Sequence, residues 1–255
     1  MRVHLVSDVH GNAEALSRAK GDADALVCLG DLLNFVDYYD LGGGIMGQLF
    51  GEERIAEWVA LRTARRFDEA RAYSARMWAS LDEDRQIAVD RAVRAQYAAL
   101  FGAMPDPTYV TYGNVDLPNL WPDYKRDGVT VLDGQTVTLD GWTFGFVGGG
   151  LRSPMRTPYE LSDEEYAAKL EAVGEVDVLC CHIPPALPEL TYDTVARRFE
   201  KGSEAILDVV RRTQPRYMVY GHVHQPLVRR TRIGRTECIN VGHFRRTETA
   251  FPLTW

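Results

Sequence analysis

The sequence predicts an α/β domain of two stacked sheets covered by helices, with an α-helical hairpin inserted into it. Three observations carry this reading. Apolar, strand-like runs alternate with amphipathic helical segments. Residues 129–148 and 226–242 instead alternate in short runs broken by turn residues. Residues 38–103 are rich in Ala, Arg and Glu and poor in strand formers.

The strand-like runs are "VHLVS" from Val3, "ALVCLG" from Ala25, "TYVTYG" from Thr108, "VDVLCCH" from Val176 and "RYMVYGHVH" from Arg216. Several are too continuous to be half-exposed, so helices should cover the sheet. Helical segments are predicted over 12–20, 162–173 and 203–213. In "VTVLDGQTVTLDGWTFGFVGGG" the Asp-Gly pairs are hairpin signals, and Ile233-Gly234-Arg235 turns a second antiparallel pair. Two stacked mixed sheets accommodate both kinds of connection. Within the insertion, Ile55, Trp58, Val59 and Arg62 begin one amphipathic helix, and Phe67, Ala70, Tyr73 and Met77 continue its face. Ser80 and Glu83 resemble a capping box that opens a second helix, with Ile87, Val93, Tyr97 and Leu100 on its buried side. The expected organisation is one domain over 1–255 with an αα-hairpin at 38–103. That hairpin packs on the core or serves as a lid or a dimer arm.

A chain of 255 residues, 45% hydrophobic and 25% charged, can bury a sizeable core. Its net charge of −7 argues against a general nucleic-acid binder, which needs a basic surface. "MRVHLVSDVHG" holds too short an apolar run for a signal peptide, and no 18-residue apolar stretch follows. A cytoplasmic protein is therefore expected, with no membrane partner. The four cysteines form no C-x-x-C pair and lie in apolar runs, as small reduced core residues. Adjacent Cys180 and Cys181 should point to opposite faces of a strand.

Each strand-like run stops at a polar cluster. The first runs into Asp8-Val9-His10-Gly11-Asn12, the second into Asp31 and then Asn34. The third runs into Gly113-Asn114-Val115-Asp116, the fourth into His182, and the fifth into Gly221-His222-Val223-His224. Ligand sites in α/β sheets form where strand ends meet loops. Asp8 and His10, like His222 and His224, are two apart, which in extended chain puts them on one side. Four of the six histidines fall in these clusters. Carboxylate, imidazole and amide donors without thiolate suit Mn, Fe, Zn or Co. The candidates Asp8, His10, Asp31, Asn114, His182, His222 and His224 are too many for one ion with an open position. They suit two ions sharing a bridging carboxylate, the arrangement that clamps a phosphoryl transfer.

With D-x-H-G-N at Asp8–Asn12, G-D-x-x-N at Gly30–Asn34, G-N-x-D at Gly113–Asp116, His182 and G-H-x-H at Gly221–His224, the chain resembles the calcineurin-like metallophosphoesterases. The resemblance implies a four-layer α/β/β/α sandwich holding two divalent metal ions, with Mn, Fe or Zn expected. It implies that Asp8, His10, Asp31 and His224 hold the first ion, that Asp31 bridges, and that Asn114, His182 and His222 hold the second. Asp31 and Asn114 thereby act in catalysis through metal, and a metal-bridging hydroxide attacks phosphorus. The loop Gly148–Gly150 also resembles a family loop near the site.

One position departs from the commonest form of the family. Many members read Gly-Asn-His-Asp or Gly-Asn-His-Glu, and that His is thought to protonate the leaving group. Here the position is Val115, and a phosphodiesterase branch of the family also lacks the His. The expected activity is hydrolysis of a small, nucleotide-like phosphodiester. The alternatives are a nucleotide phosphatase or pyrophosphatase, and a non-catalytic metal-binding scaffold of the same fold. Asn12, Asn34, Arg152 and His243 are candidate substrate contacts, and a homo-oligomer is compatible with the sequence.

Overall fold

The continuous apolar runs pair side by side in parallel, and the alternating runs close the sheet edges. A computed structural model describes residues 1–154 and 156–255. Its chain divides into two units, Met1–Leu32 with Leu100–Trp255, and Leu33–Ala99.

In the first unit, one sheet contains Arg2–Val6 (β1), Ala25–Cys28 (β2), Thr108–Val110 (β3), Val129–Val131 (β4) and Phe251–Thr254 (β15), in the order β15-β1-β2-β3-β4. The other contains Gln135–Leu139 (β5), Trp142–Val147 (β6), Val178–Cys181 (β9), Tyr217–Tyr220 (β12), Arg230–Ile233 (β13) and Thr236–Asn240 (β14), in the order β13-β14-β12-β9-β6-β5. Both are mixed: β1 to β4 are mutually parallel, as are β6, β9, β12 and β14, while β15, β13 and β5 add antiparallel edges. Two short ribbons, Gly150–Leu151 (β7) with Glu160–Leu161 (β8) and Tyr192–Asp193 (β10) with Arg198–Phe199 (β11), lie in loops. Only one of the two Asp-Gly pairs expected as hairpins closes one. Asp140-Gly141 joins antiparallel β5 and β6, whereas Asp133-Gly134 carries the chain from β4 in one sheet to β5 in the other.

The core lies between the sheets. Val3, Leu5, Val27 and Leu29 meet Phe144, Phe146, Val178, Cys180, Val219 and Ile239. Each large side chain so buried contributes roughly 1.5–3 kcal/mol. The outer face of the second sheet packs Leu179, Cys181, Met218 and Tyr220 against Tyr166 and Leu170 of Asp163–Val173 (α6) and Ile206 and Val210 of Glu204–Thr213 (α8). Cys180 and Cys181 thus face opposite cores, and all four cysteines are free and buried. Both helices start where their caps dictate: Ser162 and Glu165 form a capping box, and the Ser203 hydroxyl accepts from Ile206 N–H. Asn12 caps Ala13–Arg18 (α1) by accepting from Ala15 N–H. Two single-turn helices, Pro188–Thr191 (α7) and Phe244–Thr247 (α9), and a 3-10 helix, Pro118–Asp123, also belong to this unit.

The second unit is helical, but it is not a two-helix hairpin. Gly44–Phe50 (α2), Glu52–Thr63 (α3), Phe67–Ala79 (α4) and Arg85–Ala103 (α5) form four helices, the last running on beyond the unit. The first expected helix breaks at Arg65, whose φ is 58°. The break lets α4 fold back so that Ile55 and Met77 join one cluster with Phe50, Trp58 and Tyr73, which a straight helix could not do. Ser80 is the C-cap of α4 and not a capping-box residue; its hydroxyl donates to Met77 O. Asp84 caps α5 instead, accepting from Gln86 and Ile87 N–H. Ile87 is accordingly 62% exposed, and Ala88, Val93, Tyr97 and Leu100 form the buried side. Among the described residues, no helix is long and apolar enough to cross a membrane.

Candidate metal centre

The parallel strands deliver their polar loops from one end. β1 leads to Asp8 and His10, β2 to Asp31, β3 to Asn114, β9 to His182, and β12 to His222 and His224. Backbone hydrogen bonds knit the loops together: His10 N–H donates to Asp31 O (2.9 Å) and Gly221 N–H to His182 O (3.0 Å). His182 Nδ1 lies 2.9 Å from Leu29 O and ties the second sheet to the first. A carbonyl only accepts, so Nδ1 carries the proton of the neutral ring and Nε2 is left as the donor atom.

These loops are not extended, as the two-residue spacing suggested. Asp8, His10, Asp31 and His222 have φ of 58°, 41°, 53° and 65°. Asp and His tolerate this left-handed region better than most residues, yet it costs roughly 1–3 kcal/mol each. Asp8 and His10 approach each other through the turn. His222 and His224 part, the first to His182 (ring centroids 5.2 Å) and the second to His10 (5.3 Å). Glycine is required where the Asp31 and Asn114 loops touch. A Cβ on Gly113 would fall 2.0 Å from Asp31 Oδ1, and one on Gly30 would fall 2.0 Å from Gly113 N.

Asp31 is held by one oxygen and presents the other. Oδ1 accepts from Val115 N–H (3.0 Å), while Oδ2 lies 3.4 Å from His182 Nε2 and 3.9 Å from His10 Nε2. Asp8 behaves alike: Oδ2 accepts from His222 N–H (3.0 Å), and Oδ1 faces His224 Nε2 (3.3 Å) and His10 Nε2 (3.9 Å). Asn114 Oδ1 is 3.0 Å from His182 Nε2. Asp8 Oδ1 is buried and accepts no hydrogen bond of good geometry. A buried carboxylate oxygen left so costs about 1–3 kcal/mol or more unless a cation meets it. This donor set therefore fits divalent cations.

The electrostatics agree. Burial alone would raise both carboxyls, but His224, His182 and His10 carry Asp8 well below its usual range, and His182 and His10 lower Asp31. Burial opposes charge on His182, yet Asp31 and Asp8 raise it to about 9. His222 falls to about 4, through burial and the charge of His182. The two carboxylates thus stay anionic at neutral pH, as cation ligands must.

The model of the calcineurin-like phosphoesterase family matches residues 1–226. The chain belongs to the calcineurin-like phosphoesterases. No curated protein matches its sequence. One solved crystal structure superposes on this phosphoesterase with a TM-score of 0.60 at 15% identity, covering 95% of this chain and 91% of its own, which is a likeness of fold. Another is described as "Putative 5'-Nucleotidase from Staphylococcus aureus in complex with alpha-ketoglutarate". It aligns at 14% identity with a TM-score of 0.47 over 94% of this chain, which spans 48% of its length. The phosphoesterase is a phosphoric ester hydrolase of a family that uses divalent metal ions, and the expected two-sheet fold is present.

The four candidate substrate contacts of the phosphoesterase have distinct settings. Asn12 caps α1 and donates to Glu248 (3.1 Å). Asn34 belongs to the helical unit, where its amide donates to Asp37 (2.9 Å). Arg152 is exposed and pairs with Glu165 (3.8 Å). His243 is buried and stacked on His224, with centroids 3.8 Å and planes 13° apart, and its nitrogen lies within 4.8 Å of donor atoms of His10 and His224. Burial, then the charge of His224, push its pKa down to about 3.

Three supporting groups escaped the sequence reading. Asp116 accepts from Gly113 N–H within its own turn and from Asp31 and Leu32 N–H across from it (2.8, 2.9 and 3.0 Å). Burial and the Asp31 charge raise its pKa to about 7. Asn240, at the end of β14, donates to Gly221 O and Val223 O and so holds the His222–His224 loop. Its place at a strand end, two residues before Gly242, was the available signal. Thr157 accepts from Asn114 Nδ2 (3.1 Å), and Glu160 accepts from the Thr157 hydroxyl (2.8 Å). This chain fixes the amide with Oδ1 toward His182. Thr157→Val removes the acceptor, so the metal affinity of the centre is expected to fall about 10–100-fold, measured by competition with a chelating dye. Unchanged affinity would mean that the amide orients without Thr157.

Proposed function

We propose that this phosphoesterase is a dinuclear-metal phosphodiesterase acting on a small, nucleotide-like diester. The observation that carries the reading is Asp31. Its Oδ1 is fixed by Val115 N–H while its Oδ2 faces His182 and His10 together, as a bridging carboxylate would. Asp8, His10 and His224 would complete one cation site and Asn114, His182 and His222 the other. When bound, two divalent cations, Mn, Fe or Zn, supply a water of lowered pKa and neutralise phosphoryl charge.

The chain's own residues set the geometry. Asp116 holds the Asp31 backbone through Asp31 and Leu32 N–H. Asn114, oriented by Thr157, would help hold the second cation and stabilise phosphoryl charge. Val115 has no proton to give, so the leaving group departs as an anion or takes its proton from water or another residue. That favours diesters with acidic leaving groups. The free, buried thiols agree with a reducing, cytoplasmic setting.

Metal removal tests the reading. Dialysis against EDTA should abolish hydrolysis of bis(p-nitrophenyl) phosphate and lower Tm by several degrees, since a ligand at 100 Kd adds about 2.7 kcal/mol. Manganese should restore both, with about two ions per chain by elemental analysis. A manganese-loaded chain that hydrolyses no diester would refute the proposal.

A further inference from the structure

The helical unit carries a second cluster that uses none of the metal donors. Between α3, α4 and the start of α5 lies a cavity of ≈ 550 Å³ lined by Trp58, Phe67, Trp78, Arg62, Arg71 and Arg85. Two of the guanidinium groups lie over indole rings: Arg62 is 4.8 Å from the Trp58 ring and Arg85 is 4.2 Å from the Trp78 ring. Neither shares an ion pair with a carboxylate among the described residues. Arg71 stands 3.8 Å from Asp68, both exposed. Phe67 is 58% exposed, an unusual setting for so large an apolar ring.

These features favour one chemical class. An arginine stacked on an aromatic face is held by its plane, so its N–H edge stays available for bidentate bonds to phosphate. A cavity of several hundred Å³ is the size of a small-ligand site. The guanidinium groups of Arg62 and Arg85, which have no carboxylate partner among the described residues, disfavour a neutral apolar occupant, since burying unpaired charge is costly. The exposed Phe67 ring offers a stacking face of the kind nucleobases use. In a chain of net charge −7, three arginines lining one cavity suit a small polyanion and not a nucleic-acid polymer.

We infer that the α3–α4–α5 cavity binds a nucleoside polyphosphate, its phosphates on Arg62, Arg71 and Arg85 and its base on Phe67. This is a binding site of the helical unit, independent of the metal-centre chemistry proposed above.

The test is titration of the full chain with ATP, read by tryptophan fluorescence and calorimetry, with adenosine and tripolyphosphate as half-ligands. Saturable ATP binding is expected, with each half-ligand at least about tenfold weaker, because stacking and phosphate contacts both contribute. The Arg62→Ala/Arg85→Ala variant should bind ATP about tenfold more weakly or worse, and Arg62→Lys/Arg85→Lys should fall between. Hydrolysis of bis(p-nitrophenyl) phosphate by these variants should be unchanged, which separates this site from the metal centre. Circular dichroism checks the fold, and Phe67→Ala, at an exposed position, gives a variant that should lose the preference for ATP over tripolyphosphate. ATP binding that the arginine and Phe67 variants leave intact would overturn the inference. So would no binding at millimolar ATP, or a groove that instead joins two copies of the chain in sedimentation.

Discussion

Asp31→Asn is expected to lower diester hydrolysis by about 10²–10³-fold or more and to cut bound metal from about two ions per chain to one or fewer. The substitution is a clean one. Asp31 sits at φ 53°, and asparagine tolerates that backbone as well as aspartate does. The amide oxygen can still accept from Val115 N–H, the bond that anchors Oδ1 now. What disappears is the negative charge on the oxygen that faces His182 and His10. Circular dichroism should therefore be unaltered while metal content and rate fall together. Full activity with two ions retained would show that Asp31 is not the bridge.

The second large effect concerns Val115. Aryl phosphodiesters should be hydrolysed far faster than matched alkyl ones, since general-acid help worth about 10²–10⁴-fold is missing for the poor leaving group. Val115→His should narrow the gap by speeding alkyl diesters and leaving aryl ones unchanged. The gain is expected near tenfold, short of the 10²–10⁴-fold that a well-oriented general acid supplies. The reason lies in Asp116, the residue that would orient the new imidazole. Its carboxylate already accepts from three backbone N–H groups, one at Gly113 and two across at Asp31 and Leu32. Equal rates on aryl and alkyl diesters in the parent chain would mean that another group supplies the proton.

The gathering of the candidate donors was legible because each apolar run stops at a polar residue, and strand ends in a parallel sheet gather at one edge. The helix starts at Ser162 and Ser203 were legible for a similar reason, since a cap is a local interaction. The shape of the loops was not. Four donors at or near left-handed φ are held there by contacts between distant segments, such as His222 N–H on Asp8. No periodicity announces that. The break between α3 and α4 shows the same limit: the apolar spacing runs on through Arg65, and tertiary burial of Ile55 against Met77 accounts for the turn. Thr157 lies in an irregular loop just before β8, which Glu160 begins, and their role exists only once Asn114 has arrived beside them.

The left-handed donors also set a trade-off between durability and catalysis. At Asp8, His10, Asp31 and His222 a glycine would relax the backbone and delete a proposed ligand in one step. The folded chain is therefore least comfortable at the residues it can least replace. A selection for heat resistance run without an activity screen would drift toward these positions, and its winners would be robust proteins with no metal centre.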